Sequence, residues 1–97
     1  MLSVDFLTLA QNELDDAFEY YEFQQENLGY RFVEEVMNSL ELIIAYPEAW
    51  TQSSAHTRRC LIKTFPYGII YQKRDDTIIV VAIASLYKEP DYWIARN

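Results

Sequence analysis

Arg59 and Lys63 stand four residues apart in a stretch that alternates in character, Arg59-Cys60-Leu61-Ile62-Lys63-Thr64-Phe65. On a β-strand this spacing puts both cations on one face, with Cys60, Ile62 and Thr64 on the other. A guanidinium grips phosphate or carboxylate through parallel N–H bonds, and a tyrosine ring stacks on a base or on arginine. Arg58, Lys73, Arg74, Lys88 and Arg96 extend the cationic set toward neighbouring strand ends and the C-terminal segment. The chemistry these residue types offer is recognition of an anion or an acidic partner. The plainer reading is solvated charge, some of it paired with Asp75, Asp76, Glu89 or Asp91. Tyr92-Trp93 is open in the same way: an aromatic anchor docking the C-terminus, or a contact surface for a protein partner.

Other chemistry finds little support. His56 is the only histidine and lies among Ser53, Ser54, Thr57 and Arg58, with no partner in sequence that makes it a base for a nucleophile. Cys60 falls inside the strand pattern and is expected to be a small buried hydrophobe. The carboxylates crowd onto helix faces, where solvation accounts for them better than a paired-carboxylate hydrolase does. Phosphate loops, nucleotide-binding fingerprints and zinc spacings are absent, so no cofactor and no metal are expected.

Charge is divided along the chain. Residues 1–50 carry eleven Asp or Glu and one Arg (Arg31), a net of −10, whereas residues 51–97 carry seven Lys or Arg and four acids, a net of +3. Counterion release needs local cations, so direct nucleic-acid contact is expected only through the C-terminal half. Half of the 97 residues are hydrophobic, enough for one domain spanning 1–97 with a modest core. A lone cysteine suits a reducing cytoplasm. The longest apolar run, Ile78 to Ala84, is too short to cross a bilayer, and no membrane partner or leader is expected.

The elements that must position these residues follow from periodicity. Ser3 to Phe6 reads as a short strand. Thr8-Leu9-Ala10-Gln11 has capping-box spacing with Thr8 as N-cap, and Ala10, Leu14, Ala17, Phe18 and Tyr21 continue as a helical stripe. Glu13, Asp16, Glu19 and Glu26 are assigned to the opposite, solvated face. Asn27-Leu28-Gly29 breaks the helix, with Gly29 taking a positive φ. A second helix buries Phe32, Val33, Val36, Leu40, Ile43 and Ile44 and ends before Pro47. Strands are predicted over 59–65, 67–73 and 77–86, with Arg74-Asp75-Asp76 as a hairpin turn, and Pro90 opens a last helical turn or two. The fold class is α+β: a small antiparallel sheet in β-α-α-β-β-β order, a helical hairpin packed on one face, and a short C-terminal helical segment.

The order Arg58-Arg59-x-Leu61-x-Lys63-x-Phe65-Pro66-Tyr67-x-Ile69-x-Tyr71, an apolar strand, then Pro90-x-Tyr92-Trp93, resembles the RelE/ParE superfamily of type II toxins. Upstream, Ala10-x-x-Glu13-Leu14-x-x-Ala17, Tyr20-Tyr21, Gly29-x-x-Phe32 and Pro47 before Trp50 are similar as well. The Arg-Arg-to-Phe-Pro-Tyr block and long helical hairpin look closer to ParE. The resemblance implies a growth-arresting toxin of the plasmid-stabilisation kind, neutralised by a cognate antitoxin. It would bind DNA gyrase without chemistry of its own, through Arg58, Arg59, Lys63, Lys88, Tyr92, Trp93 and Arg96. A RelE-like member would instead be a ribosome-dependent mRNA endoribonuclease, with Arg59, Lys63, Tyr71, Lys73 and Arg96 as its catalytic set. The chain departs from many relatives where a histidine and a basic run are usual, reading Ser85 and Tyr87-Lys88-Glu89. Serine is no proton shuttle near neutral pH and Glu89 repels phosphate, which disfavours RNA cleavage. The same departures fit a third alternative, a degenerate, non-toxic antitoxin-binding module.

Overall fold

In the computed structural model, which describes residues 2–96, each element follows from where its apolar residues fall. Strand β1 (Ser3–Phe6) exposes Ser3 and Asp5 and turns Val4 and Phe6 inward. Helix α1 (Thr8–Gln24) buries Ala10, Leu14 and Ala17. Helix α2 (Leu28–Ala45) buries Gly29, Phe32, Val36, Leu40 and Ile43. Three longer strands, β3 (Arg58–Leu61), β4 (Tyr67–Arg74) and β5 (Thr77–Ser85), follow a two-residue strand, β2 (Thr51–Gln52). They form one sheet in the order β1-β5-β4-β3-β2. A final 3-10 turn, Ile94–Arg96, follows Trp93. The α+β class, the helical hairpin and the C-terminal helical segment are as expected.

The sheet is mixed, because β1 lies parallel to β5, with Ser3 opposite Thr77 and Phe6 opposite Val80. The β3–β4 and β4–β5 pairs are antiparallel. A β-bulge interrupts the last pair: Ile70 opposes Ala82, but Tyr71 opposes Val80, leaving Val81 as the extra residue. The bulge shifts the alternation of β5. Ile78, Val80 and Ile83 therefore join the core beneath the helices, while Val81, Ala82 and Ala84 face the other side of the sheet. An unbroken apolar run is what a strand buried on both faces requires.

Four local expectations are corrected. Helix α1 begins one residue earlier than the capping box implied: Leu7 is the N-cap and its carbonyl accepts the Gln11 N–H at 2.9 Å, with no side-chain cap. The helix reversal rests on Asn27, at φ 71°, and not on Gly29, which is helical. Asparagine tolerates that left-handed conformation, and Glu22 of α1 accepts the N–H groups of Asn27 (3.0 Å) and Gly29 (2.9 Å), satisfying free donors at the start of α2. Gly29 serves closeness instead, since a Cβ there would lie 2.5 Å from the Phe18 carbonyl oxygen. Strand β3 stops at Leu61, because the chain turns through Thr64 at φ 66° and Ile62 N–H bonds the Tyr67 carbonyl at 2.9 Å. Finally, Glu13 does not lie on the solvated face of α1.

The two faces of the sheet differ in cover. One carries the helices over the main core, where Tyr21, Phe32, Phe65 and Tyr67 meet mostly edge to face with ring centroids 5.0–6.1 Å apart. The other carries no α-helix among the described residues. Its small cluster of Ile70, Val81, Ala82 and Ala84 is covered by Trp93 from the C-terminal segment.

Candidate functional site

Arg59 projects onto the helix-free face, since its neighbour Cys60 is buried under the helices and strand side chains alternate. Its stem lies over Gly68 on β4: a Cβ at that position would come 3.2 Å from the Arg59 Cγ and 3.4 Å from its Cδ. Glycine thus makes room for the arginine. Beside it, Arg59, Ser85, Lys88, Pro90 and Trp93 line a hollow of about 200 Å³. Trp93 is nearly buried, and its Nε1 has no hydrogen-bond partner among the described residues. Ser85 shapes the turn into this region: its Oγ accepts the Tyr87 N–H at 3.2 Å and its carbonyl accepts the Lys88 N–H at 3.2 Å. Arg59 itself is exposed and forms no ion pair, the one ion pair among the described residues being Arg96–Glu13. Glu89 also lines the hollow, so the site is an arginine, a lysine and one carboxylate around an apolar floor, in which the exposed Arg59 and the Trp93 ring suit an acidic or aromatic group of a partner.

Behind the hollow, Glu13 of α1 gathers the C-terminal segment. Its Oε1 accepts from Arg96 Nη1 at 2.8 Å and from the Ile83 N–H at 3.1 Å. Its Oε2 accepts from Arg96 Nη2 at 3.2 Å and from the Tyr92 hydroxyl. Arg96 Nη1 also donates to the Val81 carbonyl at 3.1 Å. Val81 and Ile83 lie beyond Val80, the last residue of β5 paired to β1. Glu13 and Arg96 therefore satisfy edge groups that β1 is too short to reach. The Tyr92 ring is flanked by cations: Lys88 Nζ and the Arg96 guanidinium carbon each lie 5.2 Å from its centroid. Burial, and then the bond to Glu13, push the Tyr92 hydroxyl pKa well above that of a free tyrosine.

The remaining predicted residues lie elsewhere. Arg58, Tyr71 and Lys73 line a separate hollow with His56, Pro47 and Glu48. There Arg58 Nη1 donates to the Trp50 carbonyl at 2.7 Å, and the buried Tyr71 hydroxyl donates to the Pro47 carbonyl. Burial raises the Tyr71 pKa to about 12 despite the nearby Arg58 charge. Lys63 leaves the strand that was expected to pair it with Arg59 and faces Glu34 and Glu35 of α2 across a third hollow. Of the residues singled out from sequence, Arg59, Lys88, Tyr92, Trp93 and Arg96 come together, whereas Arg58, Lys63, Tyr71 and Lys73 do not join them. The nuclease set is consequently split between the two faces of the sheet and the turn after β3. Cys60 is buried, and burial raises its thiol pKa, so it carries no nucleophilic thiolate.

Sequence reasoning missed Glu13. The signal was its place three residues after Ala10 and four before Ala17, at the flank of the buried stripe.

A family model described as ParE toxin of type II toxin-antitoxin system, parDE, matches residues 4–85. No curated protein matches the sequence. Among solved structures, a chain of the chromosomal ParDE TA system from P. aeruginosa is similar with a TM-score of 0.76 and 13% identity, over 88% of this chain and 96% of that one. At that identity the likeness concerns the fold.

Proposed function

Because this chain belongs to the ParE toxin family of type II toxin–antitoxin systems, we propose that it is held inactive by a cognate antitoxin and acts on DNA gyrase through the helix-free face of its sheet. The observation that carries this reading is the exposed, ion-pair-free Arg59, seated over Gly68 beside the hollow of Lys88, Pro90 and Trp93. Recognition of a protein surface needs only such a cationic and aromatic patch. RNA cleavage needs positioned proton carriers near one phosphate. Of that set, Tyr71 has its hydroxyl engaged to Pro47 and Arg96 has its guanidinium engaged to Glu13. The antitoxin reading is supported by the opposite side of the molecule. Helices α1 and α2 carry most of the acidic residues and leave Tyr20, Phe23 and Tyr30 exposed, Phe23 at 93%. A basic amphipathic antitoxin segment would complement that surface.

Tightly regulated induction of the chain alone, followed by a gyrase supercoiling assay on the purified protein, tests the function. Growth arrest with filamentation, and inhibition lowered at least about tenfold by Arg59→Ala, is the expected result. Immediate loss of protein synthesis with cut mRNA would replace gyrase by the ribosome. Normal growth with soluble protein accumulating would leave an antitoxin-binding module without toxicity.

A further inference from the structure

The C-terminal segment carries two walls of the hollow, Lys88 and Trp93, yet no regular hydrogen-bonded ladder holds it to the sheet. The Leu86 N–H anchors its start to the Pro66 carbonyl at 2.9 Å, and beyond Leu86 its backbone hydrogen bonds are local turns, such as Lys88 to Ser85 and Ile94 to Asp91. Past that anchor, its polar ties to the rest of the molecule are the bond from Arg96 to the Val81 carbonyl and the bonds of Tyr92 and Arg96 to one carboxylate, 79 and 83 residues earlier in the chain. We propose that Glu13 is the positioning residue of this toxin: by binding Arg96, Tyr92 and the Ile83 N–H together it locks residues 88–96 onto the sheet, and so sets the target-binding hollow beside Arg59.

The geometry gives the lock its parts. Arg96 meets Glu13 through two nitrogens at 2.8 and 3.2 Å, a forked contact that fixes the plane of the guanidinium. Tyr92, held by the second carboxylate oxygen, offers its ring to Lys88 at 5.2 Å and packs edge to face on Trp93, with centroids 5.3 Å apart. Displacement of Tyr92 would therefore move both Lys88 and the Trp93 floor. Both carboxylate oxygens of Glu13 are used, and its side chain is only 15% exposed, so water is a poor substitute for either partner. Nothing in Glu13 touches the hollow itself, hence a positioning role.

The functional half of this inference rests on the gyrase reading; the lock itself does not. Amide hydrogen exchange on the full chain tests the lock. Glu13→Gln, close in shape but without the charge, should speed exchange at Ile83 and at 92–96 by at least about tenfold, leaving the amides of α2 and β4 protected. Arg96→Ala should do the same, and the double variant should be no worse than the more severe single one. Unchanged protection at Ile83 and 92–96 would overturn the proposal, and so would a uniform rise across the core, which would make Glu13 a support of the whole fold. Gyrase binding then decides positioning: Glu13→Gln should weaken it as Arg59→Ala does. Wild-type affinity in a variant whose segment has loosened would refute the positioning role. A wild-type chain that binds no gyrase would refute the target reading, while exchange would still decide the lock.

Discussion

Tyr71 shows how a residue with the right chemistry is withdrawn from it by its surroundings. Its hydroxyl is buried on the helix side of the sheet and spent on the Pro47 carbonyl, and its pKa rises to about 12. Near neutral pH it neither carries charge nor gives up its proton, so it is a strut between β4 and the loop after α2. The sign of the linkage follows: the neutral form is favoured in the folded state, so its contribution is fully present below the ordinary value of 10.0 and is lost as pH rises toward about 12. Denaturant midpoints measured through that window should fall, and Tyr71→Phe should show a shallower fall. An identical fall in the variant would mean that Tyr71 is not a source of the linkage. Cys60 was legible from sequence as a small buried hydrophobe because alternation along a strand assigns its face. Glu13 was not, because an acid beside an apolar helical stripe is inward only when a donor waits there, and its donors lie on residues 83, 92 and 96.

At the scale of elements, the helical hairpin depends on one close approach. Gly29 sits where a Cβ would be 2.5 Å from the Phe18 backbone oxygen and 2.9 Å from a Phe18 ring carbon. A backbone atom cannot swing aside, so Gly29→Ala must separate α1 from α2, at a cost of about 2 kcal/mol. A fall of several degrees in thermal midpoint is expected, although alanine is the better helix former; a rise would show that the crossing has slack. The sequence marked Asn27-Leu28-Gly29 as the reversal, since these residue types break helices. It did not reveal the division of labour, with Asn27 at positive φ and Gly29 making room, because that depends on what lies across from each. The β-bulge was hidden for a related reason. A run apolar at every position from Ile78 to Ala84 looks the same with or without a slip in its alternation, and only pairing with β4 reveals it.

Over the whole molecule, the acidic hairpin and the cation-bearing sheet present surfaces of different character. If the antitoxin brings a basic segment to the hairpin, its affinity should depend on salt, with Kd rising at least about tenfold between roughly 0.05 and 0.5 M. Calorimetric titration checks this, and a flat salt response would place the antitoxin on apolar contacts alone. Composition and hydrophobic period were sufficient for the α+β class, the helix pair, the existence of strands β3, β4 and β5 and the placing of most cations in the second half. These are local properties: each residue's preference and its spacing from near neighbours are written in the chain. The parallel pairing of β1 with β5, the departure of Lys63 from the face of Arg59, and the gathering of Glu13 with Tyr92 and Arg96 were decided only by the tertiary structure. Such contacts join residues tens of positions apart, and their energy exists only once the chain has closed around them.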